Sequence, residues 1–90
     1  MELNFTQNRK IWVSEFEATG DFNLHIEGIS NSKVKVYMTS VKNGRYAYVE
    51  GSTPTYGEVY DCDFSAVVYP KYIKVECATE PTMAVVTYNA

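Results

Sequence analysis

The chain predicts an all-β protein: a single antiparallel β-sandwich of seven or eight strands over residues 1–90, immunoglobulin-like or jelly-roll in topology. Three observations predict it. Apolar and polar residues alternate with period two from Leu3 to Tyr88, and no stretch keeps a helical period. Turn-forming residues punctuate the alternation at intervals of roughly 8–12 residues, the spacing of sandwich strands. Asn43-Gly44 stands between two alternating runs, the strongest short-range signal for a two-residue hairpin.

Each element follows in order. Leu3 and Phe5 share one face of a first strand, Leu3 to Gln7, which ends at the polar turn Asn8-Arg9-Lys10. From Ile11 to Ala18, Trp12, Ser14, Phe16 and Ala18 fall on one face and Glu15 and Glu17 on the other, so the rings go in and Trp12 belongs to the core. After the turn Thr19-Gly20-Asp21, Phe22, Leu24 and Ile26 alternate strictly with Asn23, His25 and Glu27; a loop from Gly28 to Ser32 closes that strand. A type I′ turn at Asn43-Gly44 sets Val41 against Tyr46, Thr39 against Tyr48 and Tyr37 against Glu50. One face of that hairpin then holds Val34, Val36, Met38, Ala47 and Val49. The wetter face holds Lys33, Lys35, Tyr37, Thr39, Tyr46, Tyr48 and Glu50, because burying three charges would be costly. The stretch from Gly51 to Gly57 reads as an exposed loop, since Pro54 and two glycines exclude a strand interior. Glu58 to Phe64, Ala66 to Tyr69, Tyr72 to Cys77 and Met83 to Tyr88 complete the strands.

Ninety residues make one domain that buries roughly 60% of its unfolded surface, a thin core that contacts with a partner would support. The net charge is −3 and the basic residues are scattered, which excludes nucleic acid as the main partner. The first residues lack the basic and apolar regions of a signal peptide, and no apolar run approaches the ~20 residues that cross a bilayer. Synthesis in a cytosol is therefore expected, with no membrane partner. Cys62 and Cys77 alternate in step with apolar neighbours and read as buried free thiols, with a disulfide as the alternative. Asn4-Phe5-Thr6 fits a glycosylation acceptor by chance alone, given no secretory signal.

No catalytic or metal signature occurs. His25 is the sole histidine and reads as a surface residue; the pairs Glu15/Glu17 and Asp61/Asp63 read as solvated strand faces that discourage edge pairing. Neither has the closely spaced oxygen loop that calcium requires. Phosphate loops and nucleophile elbows are missing, so no enzyme and no cofactor are expected. The distinctive count is eight tyrosines against eight Lys and Arg together. Tyr37, Tyr46 and Tyr48, joined by Tyr56 from the loop, form the one candidate partner-binding constellation, because tyrosine offers a large apolar face, few rotatable bonds and a hydroxyl that tolerates water. The structural alternative is that they are cross-strand pairs that serve stability.

The stretches from Trp12 to Glu27 and from Asp63 to Val75 resemble, in overall character, segments of small accessory virion proteins of tailed bacteriophages, including the crAss-like group. The resemblance implies a capsid auxiliary or decoration protein, or a head-fibre component. Such a protein is made in the host cytoplasm, built into the virion, and docks on the major capsid protein or on further copies of itself. The competing reading is a carbohydrate-binding or adhesive module whose tyrosine face holds a glycan.

Overall fold

A computed structural model describes residues 1–29, 33–52 and 59–88. Eight strands make two antiparallel sheets: β1 (Thr6–Asn8), β2 (Ile11–Ala18), β3 (Phe22–Glu27), β4 (Val34–Thr39), β5 (Ala47–Ser52), β6 (Val59–Phe64), β7 (Lys71–Cys77) and β8 (Met83–Tyr88). One sheet has the order β1-β2-β7-β4-β5 and the other β6-β3-β8. No helix occurs among the described residues, and hence none long and apolar enough to cross a membrane.

The pairings nest inside one another. Trp12 opposes Cys77, Phe22 opposes Phe64 and Val34 opposes Ser52, while a bridge between Glu2 and Val85 lays the N-terminal segment beside β8 outside them all. Leu3 N–H donates to Ala84 O at 2.9 Å and Val86 N–H to Met1 O at 2.8 Å along that outermost pair. The chain is thus one long hairpin, its tip at the β4–β5 turn, rolled so that successive pairs alternate between the two sheets. That order is a jelly roll and not the immunoglobulin sandwich, in which the paired strands follow a different sequence.

The alternation read from the sequence places the core. Leu24 and Ile26 of β3, Val34 and Val36 of β4, and Ile73 and Val75 of β7 are wholly buried between the sheets. Phe22 stacks on Phe64 at 5.2 Å between centroids and meets the edge of Phe16 at 5.4 Å, closing one end of the core with rings. Ile29 is also wholly buried, although it follows the last alternating residue of β3 and reads as loop. Gly28, at φ +78°, makes that entry possible: a Cβ there would collide with the Thr82 side chain, whose backbone N–H caps Glu27 O at 2.9 Å.

Several sequence expectations need correction. Trp12 points between the sheets but is only half-buried, outside the central cluster. The expected strand over Ala66 to Tyr69 is an irregular bend: the Tyr69 hydroxyl accepts the Ala66 N–H at 2.9 Å and donates to the Asp21 carboxylate, just before the cis Tyr69–Pro70 bond. Both cysteines are free thiols, as expected, and Cys77 is buried; the departure is Cys62, which is only half-buried on β6. Burial pushes the Cys77 thiol up to about 12. Gly51 and Ser52 continue β5 and do not open the loop.

The hairpin register also differs. Gly44 N–H donates to Val41 O at 2.8 Å, so Lys42 and Asn43 are the central turn residues and Asn43 takes the positive φ, 64°. Asn tolerates that left-handed conformation, which moves the turn back by one residue from the expected Asn43-Gly44. Met38 therefore faces Ala47 and Tyr37 faces Tyr48, and a bulge at Val49 restores a pairing of Val36 with Glu50. The bulge puts Val49 at the surface, 48% exposed, where an inward position was expected, and leaves Glu50 half-buried instead of on the wet face. Ala47 is exposed as well.

Candidate functional site

Two clusters of polar and aromatic side chains stand on the outer faces, one on each sheet. On the five-stranded sheet, a single cross-strand row runs Glu15, Lys74, Tyr37, Tyr48 across β2, β7, β4 and β5. The Tyr37 and Tyr48 rings meet at 5.5 Å between centroids with a 56° tilt. The Lys74 ammonium lies 4.6 Å from the Tyr37 ring centroid and 5.0 Å from that of Tyr46, within the range in which a cation is attracted by the ring face. The Tyr37 hydroxyl donates to Glu76 at 3.1 Å, the Tyr46 hydroxyl to Glu15 at 3.2 Å, and Lys74 pairs with Glu76 at 3.6 Å. Burial first, and then the neighbouring carboxylate, push both hydroxyls up from the ordinary tyrosine value.

These contacts divide the predicted site residues. Tyr37 and Tyr46 are half-buried and have a ring face and a hydroxyl engaged within the molecule; Tyr48 is 55% exposed at the edge. Gly51 gives Tyr48 room, since a Cβ at Gly51 would fall on the Tyr48 hydroxyl. Tyr56 lies outside the described residues. The sequence reading found the tyrosines but missed Lys74, Glu76 and Glu15 as their partners. Lys74 and Glu76 do alternate with Ile73 and Val75, which marks them as outward, but nothing local says that β7 runs beside β4.

The second cluster lies on the three-stranded sheet. The His25 ring nitrogens lie 2.7 Å from Asp61 and 2.7 Å from Glu27, and the Asn23 amide donates to Asp61 at 2.6 Å and to Asp63 at 2.9 Å. The residue read as an isolated surface histidine is therefore 30% exposed and joined to the Asp61/Asp63 pair. The hydrogen bond from Asn23, then that from His25, hold the Asp61 carboxyl below its ordinary value. Beyond Asn23 the same face ends in a shallow cleft of about 490 Å³ between Asp21, Asp63, Ser65 and Thr87. Among the described residues, no three His, Cys, Asp or Glu side chains are arranged to hold a metal ion.

Chemically, the first face offers an exposed aromatic ring on a strand that forms the sheet edge among the described residues, beside Glu15, Lys74 and Glu76, which suits contact with another protein. Among the described residues its rings do not form a flat platform for a sugar: Tyr37 and Tyr48 are tilted, and Lys74 lies over Tyr37 and Tyr46. Comparison of the chain with models of protein families, with curated proteins and with solved structures found no match.

Proposed function

We propose that this chain is a structural subunit of a bacteriophage particle, an auxiliary or decoration protein that docks on capsid subunits through the β5 edge and the outer face of the five-stranded sheet. The observation that carries the reading is the adjacent pair Tyr48, 55% exposed, and Val49, 48% exposed, on β5, which has a strand neighbour on one side only among the described residues. Large apolar side chains on a rigid strand, set beside pairs already satisfied internally, are the arrangement expected of an interface anchor and its rim. The jelly-roll order supports the reading by fold-level analogy, because capsid and lectin domains share it. Of these two, the covered faces of Tyr37 and Tyr46 favour protein over glycan.

The test is molar mass by size-exclusion chromatography with light scattering over a wide concentration range, followed by mass spectrometry of purified virus particles for the chain. A discrete oligomer or a concentration-dependent series, with the chain recovered at fixed stoichiometry in particles, is expected. A monomer absent from particles refutes the reading.

A further inference from the structure

The His25 network has a chemical requirement that its geometry imposes. Both ring nitrogens lie 2.7 Å from carboxylate oxygens, Nδ1 from Asp61 and Nε2 from Glu27. An ionised carboxylate only accepts hydrogen bonds, and a neutral imidazole carries one N–H. Two such contacts at once are satisfied by the doubly protonated ring alone. The remaining groups facing it agree: Asp63 is tied to Asp61 through Asn23, while on the other side β8 sets Val85 opposite His25, between Met83 and Thr87. Beyond Val85 the N-terminal segment sets Glu2 in the same cross-strand row, so Glu2, Glu27, Asp61 and Asp63 all share this face, and among the described residues of β3, β6 and β8 the imidazolium is the one cation on it.

The contact to Asp61 crosses to β6, an edge strand whose sole strand neighbour among the described residues is β3. We propose that His25 is a proton-operated latch that fastens β6 to β3. When the ring is protonated, it bridges Asp61 on β6 to Glu27 on β3. Loss of the proton leaves one nitrogen lone pair facing a carboxylate and removes the cation from a face that carries Glu2, Glu27, Asp61 and Asp63, so the edge strand opens more often. The two carboxylate hydrogen bonds, Glu27 first, raise the His25 pKa above its ordinary value, which places the release on the alkaline side of 6.5. The latch is independent of the docking surface proposed above, which lies on the other sheet.

Because His25 is the sole histidine, its ring signals can be followed without assignment in a pH titration of the full chain by nuclear magnetic resonance. A midpoint above 6.5 is expected, moving down toward 6.5 when Asp61→Asn and Glu27→Gln are combined. Amide hydrogen exchange, corrected for its intrinsic pH dependence, should show β6 losing protection several-fold as pH rises through that midpoint while β7 does not, and His25→Gln should lack the step. A midpoint at or below 6.5 in the unaltered chain overturns the proposal. So does β6 protection without a step, or a step shared equally by β7.

Discussion

Replacing Lys74 with methionine tests whether the tyrosine face is held together by one cation. The substitution keeps an unbranched stem over the sheet and removes the ammonium. Lost with it are two cation–π contacts, at 4.6 and 5.0 Å, and the 3.6 Å pair with Glu76. Partly covered cation–π contacts contribute about 0.5–1 kcal/mol each, and an ion pair whose ends are 25% and 18% exposed contributes about 0.5 kcal/mol. Lys74→Met should therefore destabilise the fold by about 2 kcal/mol, lowering Tm by roughly 8–16 °C in a domain of this size. Urea and thermal unfolding followed by circular dichroism and by Trp12 fluorescence measure this, with Lys74→Arg expected to retain most of the stability. High salt should narrow the gap between wild type and Lys74→Met. A loss under about 0.5 kcal/mol would refute the reasoning and return the tyrosines to simple cross-strand packing.

Tyr48→Ala, at a ring 55% exposed, should cost under about 1 kcal/mol of stability yet weaken partner binding or self-association by at least roughly tenfold; unchanged association per folded molecule refutes the docking surface. Gly51→Ala should leave stability within about 0.5 kcal/mol, because gained backbone order offsets a displaced phenol, but weaken the same association by moving Tyr48; calorimetric titration with the partner separates the two. Leu24→Ala, at a wholly buried centre of β3, should cost about 3 kcal/mol in a denaturant melt, and a loss below about 1.5 kcal/mol would mean the core closes around the gap. On the acid side, the depressed Asp61 pKa gives stability that is present above the ordinary aspartate value and lost as pH falls through the lower folded value. Asp61→Asn should remove that acid-limb contribution, worth about 0.5 kcal/mol at a carboxylate this exposed, measurable as a flatter Tm-against-pH curve below pH 4.

The strand faces were legible because they follow from a local rule. A pleated strand sends successive side chains to opposite sides, so Phe22, Leu24 and Ile26 had to share the buried face and Asn23, His25 and Glu27 the other, whatever the neighbours. The same rule placed Tyr37 and Tyr48 outside. It failed where backbone geometry broke the period. Asn43 took the left-handed position and shifted the turn, and the bulge at Val49 turned that residue out, neither of which an alternation count can register.

By itself, then, the sequence determined an all-β chain, most of its core, and the tyrosines on which the docking proposal rests. Strand order belonged to the tertiary structure, because nothing local distinguishes β7 packing between β2 and β4 from β7 packing elsewhere; the choice depends on how two whole sheets bury their apolar faces together. The rolled hairpin made that choice, and with it came the partners that give the surface its chemistry. Lys74 reached Tyr37 and Tyr46 from β7, and Asp61 reached His25 across 36 residues of chain. Such contacts form between residues distant in sequence, so they exist only once the long-range pairing is in place.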